Sequence, residues 1–180
     1  MAIITLKNVR LSFPHLFQPQ VQSDGKKTFG ASFIFPADHP VKAEVEAAIK
    51  AVAKEKWGAK ADAELKALTA SGRTCLRDGN TKAYDGYADQ WFVSASSKTR
   101  PQVIDRDTAP LDESSGRPYG GCYVVGSIEV WAQDNGFGKR INATLRWVQF
   151  ARDGESFGGG KPISNDEFAP IDESEYADLV

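Results

Sequence analysis

The sequence predicts a mainly β fold, a small barrel or sandwich with a helical insertion. Three observations lead there. Apolar residues alternate with period two in about five separate stretches, and only one block, about 38–72, carries helical spacing. An apolar fraction of 41% over 180 residues is enough for one core.

Residues 2–13 split into two interleaved sets: Ile3, Thr5, Lys7, Val9 and Leu11 on one side, and Ile4, Leu6, Asn8, Arg10 and Ser12 on the other. That is strand spacing. Pro14 and Pro19 predict a loop after it, and Asp24-Gly25 predicts a tight reversal. A second strand over 27–36 places Phe29, Ala31, Phe33 and Phe35 on one face. Asp38 and Pro40 open a helix in which Val41, Val45, Ile49 and Val52 recur at helical spacing, ending near Trp57-Gly58. A second helical piece, Ala61 to Ala70, carries Leu65 and Leu68 and stops at Ser71-Gly72.

Residues 73–90 are polar and glycine-containing, and read as a loop. Residues 91–97 form a strand, 98–105 open as a loop and turn strand-like, and 108–118 form a long loop. The best strands are 121–133 and 139–151, joined by a hairpin at 134–138. Adjacent strand residues face opposite ways, so Arg146 and Trp147 cannot share a face, and Trp147 is assigned to the core. About five strands with an inserted helix fit an OB-type barrel, whose strand faces and loops can accept single-stranded nucleic acid. The domain is expected to span 1–157. Residues 158–180 follow as a glycine-rich joint and an acidic tail with too little apolar content to pack a core.

The net charge of −2 conceals an asymmetry. Residues 153–180 hold one lysine and eight acids, giving −7 there and leaving +5 in residues 1–152. A basic body with an acidic arm suits a polyanion partner. Cys75 and Cys122 form no CxxC pair, which removes zinc ribbons and dithiol redox motifs. Without a signal peptide or a long apolar run, the expected location is the cytoplasm, with no membrane partner. His15 and His39 are too few for a histidine metal site, and no metal or cofactor is expected. Gly158–Lys161 falls short of a phosphate loop, because position 155 is Glu and position 162 is Pro.

Basic residues interleaved with aromatics remain. Single-strand binders need cations along the phosphates and flat rings for unpaired bases. The candidates are Arg73, Arg77, Tyr84 and Tyr87; Lys98 and Arg100; Arg117 and Tyr119; and Trp131, Phe137, Lys139, Arg140 and Arg146. No helix-turn-helix, zinc finger or RNP-type signature is present, so recognition is expected to be sequence-tolerant and non-enzymatic. Two alternatives stand beside this reading. Asp105 and Asp107 can be read as the magnesium ligands of a small nuclease, and a β-sandwich can serve as a structural protein whose basic body is incidental.

Several stretches resemble a family of bacteriophage single-stranded DNA-binding proteins with an OB fold. They are NVRLSFPHLF (8–17), CLRDG (75–79), Tyr84-Asp85-Gly86-Tyr87, SSKTRPQVID (96–105), YGGCYV (119–124) and NATLRWVQFARDGESFGGG (142–160). The resemblance implies coating of exposed strands during replication or recombination in an infected bacterial cell. It also implies that the tail docks a phage polymerase or primase-helicase, and a homodimer is compatible with it. In the tail, Asp166, Glu167, Asp172, Glu173, Glu175 and Asp178 can imitate phosphates, while Phe168 and Tyr176 can imitate bases.

Overall fold

The computed structural model describes residues 1–157. The tail residues proposed to dock a partner lie outside the described residues. Among the described residues there are seven strands and two α-helices: β1 Ala2–Val21, β2 Lys27–Pro36, α1 Pro40–Trp57, α2 Ala61–Ala70, β3 Leu76–Asp78, β4 Gln90–Ser97, β5 Gln102–Ile104, β6 Tyr123–Asn135 and β7 Gly138–Arg152. Their order is β3-β4-β2-β1-β6-β7-β5. A parallel pairing of Ser96 in β4 with Thr144 in β7 closes β4, β2, β1, β6 and β7 into a five-stranded ring. Closure removes the open edges that an isolated sheet would expose. The short strands β3 and β5 are appended to β4 and β7.

The core lies inside this ring. Leu6, Val9, Leu11, Phe33, Val93, Val124, Ile128, Val130 and Val148 are completely or almost completely buried. Gly126 is required there, because a Cβ on it would sit 2.7 Å from the Phe33 ring. Helix α1 buries Val41, Val45, Ile49 and Val52, as its spacing predicts, and packs on β1 and β6. Its N-cap is His39, one residue after Asp38, with Pro40 opening the first turn.

The helices also brace the β6–β7 hairpin. Trp57 Nε1 donates to Asp134 Oδ2 at 2.9 Å, and Lys139 Nζ donates to Glu64 Oε1 at 2.6 Å.

Four local expectations are corrected. Strand β1 does not stop at Pro14; it runs to Val21 through both prolines. The register skips between Ser12 and His15 and again between His15 and Gln20, so each proline sits where the ladder is interrupted. A missing N–H costs least there.

The simple alternation over 2–13 also fails. Leu6 pairs with Gly126 and Val9 with Val124, so β1 holds one extra residue against β6. Asn8, at φ 54°, lies in that bulge, and the inward positions pass from Leu6 to Val9 and Leu11.

A second bulge sits at Arg146. Ile128 pairs with Leu145 while Ser127 pairs with Trp147. Trp147 is therefore turned out of the barrel and is only half-buried. The segment read as loop over 73–90 contributes β3, which pairs with β4 through Leu76↔Val93.

Cys75 and Cys122 are both buried. Burial pushes the Cys75 thiol up to about 12, which leaves it an inert packing group.

Candidate nucleic-acid interface

Strands β4 and β7 touch through one ladder pair and then part. The chain from Arg73 to Arg77 fills the gap. Ser94 N donates to Cys75 O at 3.0 Å, and Ile141 N donates to Arg73 O at 3.0 Å. This insertion brings distant cations together. A cleft of about 360 Å³ opens there, with Arg77 and Arg140 in its walls and Trp131 beside them. Among the described residues no carboxylate lines it. Neither arginine forms an ion pair among the described residues.

Arg77 is held below its ordinary value by burial first and then by the Arg140 charge. Its Nη2 donates to Ser94 Oγ at 3.1 Å, while its buried Nε has no partner. Two facing guanidinium groups with an unsatisfied donor gain from an anion placed between them. Arg73 packs along the hairpin, with Nη1 3.5 Å from where a Cβ on Gly138 would be. At the tip, Phe137 is 90% exposed. Asn135 Oδ1 accepts from Phe137 N at 2.9 Å and holds the turn in shape.

From this cleft a row of small polar residues crosses the barrel. Ser94 Oγ lies 3.3 Å from Ser32 Oγ, and Ser32 pairs with Ser12 of β1. Ser12 lines a cavity of about 510 Å³ walled by Phe13, Tyr84 and Phe157. Phe13 and Tyr84 are each 49% exposed, and their rings meet edge to face at 4.7 Å. Phe13 has φ 47°, uncommon for a bulky residue, and it occupies the register skip before Pro14. The bulge turns a ring outward that regular alternation would place elsewhere. Asp85 also lines this cavity.

The arrangement is a cationic cleft, a serine floor and an aromatic patch in continuous contact. It matches what unpaired nucleotides need. The profile of the family described as Enterobacter phage Enc34, ssDNA-binding protein, matches residues 1–180.

The chain belongs to this family. It is 45% identical over 181 residues to protein p50 of Acyrthosiphon pisum secondary endosymbiont phage 1, covering 98% of each chain. The single-stranded DNA-binding protein from bacteriophage Enc34, solved in complex with ssDNA, is 30% identical with a TM-score of 0.75. The match covers 87% of this chain and 89% of that one. The single-stranded DNA-binding protein gp2.5 of bacteriophage T7 shares the fold, at a TM-score of 0.59 and 14% identity over 99% of this chain and 94% of that one. The OB barrel expected from the strand count is thus the fold of the family.

The predicted site residues divide into those the fold gathers and those it does not. Arg73, Arg77, Trp131, Phe137 and Arg140 cluster at the cleft and its hairpin, and Tyr84 stands in the aromatic patch. Trp131 is half-buried, and its Nε1 donates to Thr144 Oγ1 at 3.0 Å. Lys98 and Arg100 are exposed beyond β4, with the Arg100 guanidinium 5.4 Å from the Phe17 ring centroid.

The others are engaged elsewhere. Tyr87 is 1% exposed and Tyr119 3% exposed, so neither ring offers a free face. Burial and the Asp153 carboxylate raise Tyr119 to about 12, and its hydroxyl donates to Asp153 Oδ1 at 2.6 Å. Lys139 points to Glu64 on α2, whose carboxylate raises its pKa. Arg146 Nη1 donates to Ser127 Oγ at 2.9 Å, and Arg146 does not line the cleft.

Arg117 Nη2 donates to Asp105 Oδ2 at 2.6 Å. That contact, together with the backbone N–H of Arg106, holds the Asp105 carboxyl below its usual range. Asp107 accepts from Ala109 N at 3.0 Å. Both carboxylates of the nuclease alternative are therefore committed to this loop, and no metal-holding group of three acids, histidines or cysteines occurs among the described residues.

A carboxyl with a lowered folded pKa stabilises above its unfolded value, near 4, and loses that contribution as pH falls through the folded value. Asp105→Asn is expected to cost about 1 kcal/mol at pH 7, with the deficit shrinking below about pH 4. Thermal melts at pH 7 and pH 3 check this; equal deficits at both would contradict it.

Phe13 and the serine floor escaped the sequence reading. The one local signal for Phe13 was an apolar residue directly before a proline within strand-like spacing.

Proposed function

We propose that the chain binds single-stranded DNA without sequence preference and coats exposed strands during phage replication or recombination in the host cytoplasm. The carrying observation is the cleft between Arg77 and Arg140, which no acid lines among the described residues, joined by Ser94, Ser32 and Ser12 to the exposed Phe13–Tyr84 pair. Phosphates sit against the arginines and bases against the rings. Similarity to a protein solved with ssDNA supports the same reading. The protein acts by binding and does no chemistry on the strand. Its acidic residues 164–180 compete with DNA for the cleft and recruit a replication partner such as a polymerase or primase-helicase.

Titration of tryptophan fluorescence with oligo-dT at several salt concentrations tests this. Four or five phosphate contacts give a slope of log K on log salt of about −3. Arg140→Gln is expected to weaken binding of every sequence alike and to reduce the slope by about 1. An unchanged slope would refute the cleft. The same titration on a chain ending at residue 163 tests the tail: tighter binding at low salt is expected, and unchanged or weaker binding rejects the competition. A labelled strand incubated with protein and magnesium should survive intact, and cleavage would overturn the non-enzymatic reading.

A further inference from the structure

A second cationic cleft lies on the other side of the 84–88 segment. The register places Arg10 of β1 opposite Tyr123 of β6, and Tyr123 opposite Arg152 of β7. Three neighbouring strands thus present a cation, a ring and a cation in one row. The Arg152 guanidinium lies 3.7 Å from the Tyr123 ring centroid, and that of Arg10 lies 6.0 Å from it. These residues line a cleft of about 570 Å³ that no carboxylate lines among the described residues. Among the described residues neither arginine forms an ion pair.

The cleft is built by the first bulge of β1. Asn8, in its left-handed conformation, is fixed from two sides. His39 Nδ1 accepts from Val41 N, so Nε2 carries the proton and donates to Asn8 O at 3.1 Å. Arg152 Nη2 donates to Asn8 Oδ1 at 3.4 Å. Arg10 is fixed more firmly, with Nε donating to Gly121 O at 3.0 Å and its guanidinium 4.1 Å from the Phe157 ring centroid. Arg152 remains exposed, spread on a ring that orients its fork. A guanidinium held this way can grip a phosphate bidentately or stack on a base.

We propose that this second cleft takes a further stretch of the same single strand after it leaves the Phe13–Tyr84 patch. The inference rests on the single-strand reading above. The two sites share a wall: Tyr84 and Asp85 line the aromatic cavity, and Gly86 and Ala88 line the second cleft. Gly86 is exposed and has no side chain, so the strand can cross there. Phe157 packs against Gly86 and lines the aromatic cavity, which joins the two sites from below. A short oligonucleotide fills the first cleft and the aromatic patch; a longer one reaches Arg152.

The test compares oligo-dT of increasing length on the full chain and on three variants: Arg152→Gln, Ala88→Glu and Arg140→Gln. Ala88 is exposed, so Ala88→Glu adds a carboxylate to the cleft without removing a packed side chain. Both Arg152→Gln and Ala88→Glu are expected to leave short-oligonucleotide affinity within about twofold. That also serves as the check on folding. Each should weaken long oligonucleotides by about 5-fold at 0.1 M salt, the contribution of one phosphate contact. Arg140→Gln should weaken both lengths. If Arg140→Gln weakens binding while neither second-cleft variant affects long strands, the second cleft is refuted and the first stands. If the second-cleft variants weaken short and long strands equally, the second cleft is refuted as a separate stretch. If none of the three has an effect although the chain binds oligo-dT, both clefts are refuted as the path of the strand.

Discussion

Replacing Phe13 with alanine is expected to weaken oligo-dT binding by about 5- to 150-fold, the value of about 1–3 kcal/mol for one stacked base. Phe13 is 49% exposed, yet it sits at φ 47° in a register skip of β1. An exposed ring in an uncommon backbone conformation contributes little to folding, so its loss should leave the melting temperature nearly unchanged. Tyr84→Ala should give a loss of similar size, because the two rings touch at 4.7 Å. The double variant should lose less than the product of the two single effects, since contacting residues are coupled. Fluorescence titrations of the three variants give the comparison. If Phe13→Ala binds oligo-dT as tightly as the parent, the aromatic patch is not a base platform.

Tyr87 should behave in the opposite way. It is 1% exposed and packs beneath the patch, with ring centroids 5.0 Å from Phe92, 5.3 Å from Tyr84 and 6.3 Å from Phe13. With Ile34 and Phe92 it forms a small core outside the barrel. Tyr87→Ala removes a fully buried ring and is expected to cost about 3–5 kcal/mol. At about 2–4 °C per kcal/mol for a chain of this size, the melting temperature should fall by about 6–20 °C. DNA affinity should fall with it, because Tyr84 loses its support. Tyr87→Phe keeps the ring and should change stability by less than about 1 kcal/mol, with affinity intact. Calorimetry and titration of both variants separate support from direct contact. A stable Tyr87→Ala protein that binds DNA poorly would show that Tyr87 itself meets the base.

Tyr84 and Tyr87 show how far the sequence could be read. Both lie in one short glycine-containing segment, Tyr84 between Ala83 and Asp85 and Tyr87 between Gly86 and Ala88, and neither set of neighbours marks one ring for burial. Only the packing of that segment over Phe92 and Ile34 buries one and leaves the other exposed. The cations divide for the same kind of reason. Lys139 and Arg140 are neighbours in a strand and so face opposite ways. One meets Glu64 of α2 and the other enters the cleft. Arg117 read as a free cation before a strand, but it is paired with a carboxylate twelve residues earlier.

What the sequence by itself determined was the set of long elements, though not β3 or the extension of β1 past Pro14: the strands by their period of two, α1 and α2 by their period near 3.6, the hairpin at 134–138 by its turn residues, and the nature of the partner by the basic body with loop aromatics. These signals are local, because propensity and side-chain direction depend on neighbours a few residues away. The tertiary structure alone decided which face of each strand looks where. One extra residue at Asn8, Phe13 or Arg146 reverses every position beyond it, and such a bulge is set by the register of a partner strand far away in the chain. The same long-range pairing drew Arg77 and Arg140 into one cleft, and Arg10, Tyr123 and Arg152 into another.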